Sequence, residues 1–204
     1  MKPYVVEALG TFFITFAALM TGNPAIIGLA VMTVVYVGAH ISGAHYNPAL
    51  TLATWWRKMM LRNVSTPLYF VAQAVGAILA TALICAITGH VSALPSSDGE
   101  HFWKSALIEA IGAFLICMIF FVVTSDRMRN NEIYGFAIGL TITMAVAIGM
   151  GLSGAVYNPA IAAGIMILGS IKQELPTLYT MVIYLVSPFI GGIAATYVHG
   201  YLND

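Results

Sequence analysis

Apolar residues along this chain fall in long blocks separated by short polar connections, with no two-residue alternation to suggest strands. The blocks run from about Tyr4 to Met20, Ala25 to Ile41, Leu68 to Gly89, Phe102 to Thr124, Ile133 to Gly151 and Pro176 to His199. A helix needs about 20 apolar residues to cross a bilayer core, so these blocks predict six transmembrane helices. Two further apolar stretches, Asn47 to Trp56 and Asn158 to Leu168, are only half that length. At about 1.5 Å per residue they reach roughly halfway through a core about 30 Å thick, which predicts two re-entrant half-helices.

Composition narrows the class. The 204 residues are 60% apolar and 8% charged, with a mean hydropathy of +0.90, whereas soluble domains carry about 25% charged residues. Residues 1–204 therefore read as a single all-α transmembrane domain in contact with lipid. Eight basic and eight acidic residues cancel, so no net field recruits a nucleic acid, and that partner is excluded. The basic residues are unevenly placed. Lys2, Arg57, Lys58, Arg62, Arg127 and Arg129 share one side of the six-span arrangement, and only Lys104 and Lys172 flank the other. The positive-inside rule then puts both termini in the cytoplasm, and their shortness leaves no room for a gating domain. Cys85 and Cys117 sit within apolar runs and read as small buried hydrophobes rather than a disulfide or metal site. The eleven methionines read as packing residues, and no metal or cofactor is expected.

The chain repeats itself. Ile41-Ser42-Gly43-Ala44-His45-Tyr46-Asn47-Pro48-Ala49 and Leu152-Ser153-Gly154-Ala155-Val156-Tyr157-Asn158-Pro159-Ala160 share seven of nine residues. Val6-Glu7-Ala8-Leu9-Gly10-Thr11-Phe12 matches Ile108-Glu109-Ala110-Ile111-Gly112-Ala113-Phe114, and Gly76 with Ala80-Thr81 matches Gly191 with Ala195-Thr196. Each half, about 1–95 and about 101–204, is three spans plus one half-helix. Three is odd, so the second half is inverted relative to the first and the two short segments meet near the midplane. This partner copy also argues that the first apolar block is a span and not a signal peptide. Gly10, Gly112, Gly76, Gly191 and Gly192 read as sites of close helix crossing.

Asparagine is a favoured N-cap and proline a favoured first helical residue, so Asn47-Pro48 and Asn158-Pro159 each predict a helix start. Two helix N-termini facing one another at mid-membrane create a positive zone that repels cations, while their asparagine amides can donate to a passing oxygen. Irregular backbone at membrane depth is tolerated where it lines a watery cavity. The carbonyls of Gly43, Ala44, His45, Gly154, Ala155 and Val156 are accordingly expected to form a ladder of acceptors. A third copy, Asn23-Pro24-Ala25, lacks the Ser-Gly-Ala-x-Tyr lead and reads as a turn.

Two Ser-Gly-Ala-x-Tyr-Asn-Pro-Ala segments, a glutamate in the first helix of each half, Gln73-Ala74-Val75-Gly76 and Pro188-Phe189-Ile190-Gly191 together resemble the aquaporin and glycerol-facilitator family of major intrinsic proteins. The resemblance covers essentially the whole chain. It implies a right-handed bundle of six helices and two half-helices, a pore within each subunit and a homotetramer. It further implies a constriction at four positions, which fall here on Ile27, Val146, Ala155 and Ile161. Most members carry an arginine where this chain has Ile161, and some a mercury-sensitive cysteine where it has Ala155. An apolar constriction is expected to weaken strict selectivity for water or polyols.

Glu7 and Glu109 lie inside spans, either as proton-coupling groups or as acceptors that hold the irregular segments; their symmetric placement favours the second. His40 reads equally as a vestibule residue or a packing residue, and the His45 carbonyl is a better pore-facing group than its ring. The favoured function is a passive channel for water or small uncharged solutes such as glycerol, ammonia, dissolved gases or metalloid acids. The alternatives are a proton-coupled secondary transporter and a structural membrane protein with a non-conducting pore. No nucleophile-base pair, zinc-protease motif or phosphate loop suggests an enzyme.

Overall fold

The computed structural model describes residues 1–60, 63–90, 93–95, 101–128, 131–171 and 175–203. Arg62, Arg129, Lys172 and Asp204 lie outside the described residues. Among the described residues, six helices are long and apolar enough to cross a membrane. They are α1 (Lys2–Thr21), α2 (Pro24–Ser42), α4 (Thr66–Thr88), α5 (Phe102–Thr124), α6 (Tyr134–Ser153) and α8 (Leu178–Asn203). The half-helices are α3 (Pro48–Trp56) and α7 (Pro159–Ile171), the latter three residues longer than its sequence suggests. The all-α expectation of six spans with two half-helices is borne out.

Helix ends follow local chemistry. Gly22, Gly43, Gly89 and Gly154 close α1, α2, α4 and α6 in the left-handed region, where a residue without Cβ pays no steric penalty. Proline sits in the first turn of α1, α2, α3 and α4. The third Asn-Pro-Ala copy departs from the expected turn. Asn23 Oδ1 accepts from the N–H groups of Ala25 and Ile26, so this copy is also a helix start, that of α2. Asn-Pro supplies a cap and a preset φ wherever it occurs; only the lead distinguishes the other two copies. In α8, Pro188 has no N–H and its ring crowds the carbonyl four residues back. The chain answers with a π turn over Val182–Val186, in which the Ser187 N–H reaches Val182 O.

The halves interlock. In each, the first span packs on the second and the third, α1 on α2 and α4, and α5 on α6 and α8. The half-helices are exchanged, with α3 seated on α8 and α7 on α4. Small residues permit the exchange: a Cβ on Gly164 would meet the Ala77 backbone, and one on Gly192 would meet Ala49 O. The seam between halves is the α2–α6 crossing, where Gly28 and Gly139 each face the other's carbonyl oxygen. Both termini lie on one face, where Arg127 reaches Asn203 Oδ1 at 3.3 Å; α3 returns to this terminal face and α7 to the far face.

Candidate pore

Between α2 and α3 the backbone of residues 43–46 alternates into the left-handed region at Gly43, Ala44 and Tyr46, with φ of 84°, 55° and 53°. The stretch 154–157 repeats this at Gly154, Ala155 and Tyr157, with φ of 81°, 53° and 51°. Each such non-glycine residue costs about 1–3 kcal/mol unless its surroundings hold it. Here they do. Ser42 Oγ and the His45 N–H donate to Glu7 Oε1 at 2.7 and 3.0 Å, and the Tyr46 N–H donates to Oε2 at 2.6 Å. Ser153 Oγ, the Val156 N–H and the Tyr157 N–H make the same bonds to Glu109 at 2.6, 3.0 and 2.6 Å. The Ala44 and Ala155 N–H groups turn to Ser42 Oγ and Ser153 Oγ.

Three successive N–H groups in each lead thus point toward a buried serine-glutamate pair. In a trans peptide the preceding carbonyl points the opposite way. Those carbonyls belong to Gly43, Ala44 and His45 in one half and to Gly154, Ala155 and Val156 in the other, and they are turned away from the carboxylates.

Tyrosines clamp the leads from behind. Tyr46 Oη donates to Val34 O and Tyr157 Oη to Ala145 O, both at 2.8 Å. Their rings lie where a Cβ on Gly10 or Gly112 would stand. These two glycines, expected at helix crossings, instead make room for an aromatic ring; the helix crossings fall at Gly76 and Gly191, against Ala8 O and Ala110 O. Tyr69 Oη donates to Ser42 O and Tyr184 Oη to Ser153 O, at 2.7 and 2.5 Å.

At the meeting point of the half-helices, Asn47 Oδ1 accepts from the Ala49 N–H and Asn158 Oδ1 from the Ala160 N–H, capping α3 and α7 behind Pro48 and Pro159. Asn47 Nδ2 donates to Tyr157 O and Asn158 Nδ2 to Tyr46 O, at 2.9 and 2.8 Å, so each cap is tied to the opposite half. An amide NH2 has two hydrogens. One on each asparagine remains for the cavity that both line.

That cavity has a volume of about 330 Å³ and runs between the halves, with room for on the order of ten waters. From Gly22 and Ile27 near the far face it passes Asn47 and Asn158 to His45 and Ile138. Ile27, Val146, Ala155 and Ile161 all line it, as do Ala44, His45, Gly154 and Val156; Gly43 is not among its lining residues. Glu7 and Glu109 are fully buried and off the cavity. His40 is exposed on the last turn of α2, away from the cavity wall. The His45 ring sits edge-on to Tyr69 and Phe120 with Nδ1 3.2 Å from Thr51 Oγ1. Thr51 gives its hydroxyl hydrogen to Asn47 O and accepts from Gln73 Nε2. His45 Nδ1 is therefore the donor, leaving Nε2 as an acceptor. Sequence reasoning missed the roles of Thr51, Gln73 and the Tyr69–Tyr184 pair; the tyrosines were visible as another repeat match, with the same offset as Gly76 and Gly191.

The description "Major intrinsic protein" matches residues 1–199. The chain is similar to a probable aquaporin of NIP type from Nicotiana alata, 32% identical with 100% of this chain and 78% of that one covered. It is also similar to Nodulin-26 from Glycine max, 30% identical over 98% and 77%, and to a probable aquaporin, AqpM, from Archaeoglobus fulgidus, 32% identical over 85% and 73%. The aquaglyceroporin from Plasmodium falciparum shares the fold, with a TM-score of 0.80 over 97% of this chain and 94% of that one at 22% identity. The paired leads, the exchanged half-helices and a match across nearly the whole length place this multi-pass integral membrane protein in the major intrinsic protein family, whose members are channels and not enzymes.

Proposed function

We propose that the chain is a passive pore for water and small uncharged solutes, with glycerol, ammonia, dissolved gases and neutral metalloid acids as candidates. The observation that carries this is the cavity that passes both Asn-Pro-Ala starts. There the N-termini of α3 and α7 concentrate positive potential, and Asn47 and Asn158 each keep one amide hydrogen for a solute oxygen. Cations and hydronium meet an electrostatic barrier at this waist, and neutral solutes do not. Ala44, His45, Gly154, Ala155 and Val156 supply backbone acceptors along the cavity. Ile27, Val146, Ala155 and Ile161 are the constriction, and their side chains offer neither charge nor hydrogen bond. Such a ring slows water by dewetting and favours solutes that shed little hydration. Without an arginine at Ile161 the proton barrier rests on the half-helix dipoles alone.

The intramembrane glutamates act as fixed acceptors for the leads, which accounts for both without a coupled proton. The distribution of Lys2, Arg57 and Arg127 supports cytoplasmic termini on the terminal face. The apolar groove between α1 and α2, lined by Leu9, Phe13 and Val37 among others, suits a neighbouring subunit of a homotetramer.

Stopped-flow light scattering on proteoliposomes, with water, glycerol, urea and ammonia gradients, tests the channel. Flux of water, glycerol and urea should rise linearly with the gradient and be unchanged by a pH difference. Uptake that saturates and follows the pH gradient would establish a coupled transporter instead.

A further inference from the structure

The connector that follows α4 carries no repeat match, yet three of its residues at the end of the first half, Ala93, Leu94 and Pro95, line the cavity. Leu94 is half-buried. It packs at once against the cluster that holds Ile161 and Ile165 and against the cluster of Ala162, Met166, Ile183 and Tyr184. A connector that merely passed over the far face would leave this leucine exposed.

Two features fix it there. Tyr184 Oη shares its one hydrogen between Ser153 O, at the root of the second lead, and Pro95 O at 3.0 Å. The Pro95 ring also lies directly against Gly154, where an added Cβ would stand 3.0 Å from Pro95 Cγ. The first half has no such arrangement among the described residues. Tyr69 Oη, the matching hydroxyl, has Ser42 O as its one acceptor among the described residues. The far mouth of the cavity therefore carries an apolar wall supplied by this connector.

We propose that Leu94 is a fifth constriction residue, held by the Tyr184–Pro95 hydrogen bond, and that it sets the size of neutral solute admitted at the far mouth. This rests on the channel reading above. Ile27, Val146, Ile161 and Leu94, none with a polar side-chain atom, line the cavity together with Gly154, Ala155 and Val156. The solute it suits is small and neutral, with its hydrogen-bonding groups along one edge and an otherwise apolar outline. Tyr184 is a positioning residue that acts through Leu94.

The test uses the full chain in proteoliposomes, comparing wild type with Leu94→Ala, Tyr184→Phe, the double variant and Leu94→Cys. Leu94→Ala should raise urea and glycerol permeability relative to water by about threefold or more, because trimming the side chain widens an apolar aperture. Tyr184→Phe should raise the ratio less, and should add nothing once Leu94 is alanine, since the two act as one unit. A charged methanethiosulfonate on both sides of the membrane should block Leu94→Cys and spare wild type, whose Cys85 and Cys117 lie off the cavity. If wild type conducts, and neither the Leu94→Ala ratio nor the flux of fully labelled Leu94→Cys changes, this inference is overturned and the channel reading stands. If wild type and Leu94→Ala alike carry no solute above bare lipid, both are overturned.

Discussion

The two halves hold the same irregular lead in the same shape but back it with different chemistry. Behind the first lead, α1, α3 and α4 supply Thr11, Thr15, Thr51, Thr54 and Gln73, all fully buried. At the corresponding repeat positions the second half has Ala113, Cys117, Ala162, Ile165 and Pro188. Glu7 Oε2 therefore accepts a fourth bond, from Gln73 Nε2 at 2.8 Å, and that amide bridges on to Thr51 in α3. Glu109 has three donors and nothing from α8. What the halves share is what any non-helical chain at membrane depth requires, a partner for each backbone N–H. Where they differ, the polar backing gives the first lead a reserve, and the apolar backing leaves the second dependent on one carboxylate.

The largest effects should come from deleting that carboxylate. Glu109→Ala removes the acceptor of two backbone N–H groups, at about 1–3 kcal/mol each, and little folded protein should survive detergent extraction. Glu7→Ala strands as many, but Gln73 Oε1 is buried without a partner among the described residues and can turn to accept one. Its cost should be smaller by about 1–2 kcal/mol, read as a higher thermal midpoint than Glu109→Ala. Glu7→Ala with Gln73→Leu should fall to the Glu109→Ala level. If Glu7→Ala is the worse single variant, the first half has no reserve and the comparison fails.

Intermediate and equal effects are expected at the waist, where the halves are alike. Asn47→Ala and Asn158→Ala each remove a helix cap and one cross-half bond, at about 1 kcal/mol apiece, so the two should unfold within a degree or two of each other. Each should also admit more protons, read with an internal pH dye. Unequal midpoints would show that the asymmetry extends to the pore axis.

The smallest effect is none at all. Ala155 offers mercury no ligand, Cys117 is buried and Cys85 lies off the cavity. Mercurials should leave solute flux unchanged; strong inhibition reversed by thiol would misplace the pore wall.

Much of this was legible in the sequence because repetition marks whatever both halves need. The half-helices, their asparagine caps, the paired glutamates and the glycines beside Tyr46 and Tyr157 all appear twice. The boundaries of α1, α2, α4 and α6 were marked by glycine as well. What appears once was hidden. Gln73 and Thr51 have no counterparts at Pro188 and Ala162, so matching the halves passes over the Gln73 amide that links Glu7 to Thr51. The π turn in α8 depends on how Pro188 is relieved inside a packed span, which no local pattern shows. Leu94 comes from the connector after α4, where no repeat match falls, and its place at the mouth depends on Tyr184, ninety residues away in sequence. His40, whose closeness to the first lead reads equally as a vestibule or a packing position, is carried outward by the last turn of α2.

The central claim is that a wholly apolar constriction, with Ile161 at its centre, decides what passes this pore. Stopped-flow permeabilities of wild type and Ile161→Arg, measured with urea, glycerol and water in the same vesicles, test it most directly. Wild type should conduct neutral solutes above bare lipid, and a long cationic side chain in the ring should cut the urea-to-water and glycerol-to-water ratios about fivefold or more. Identical ratios in the two proteins would show that the narrowest point lies elsewhere and contradict the claim.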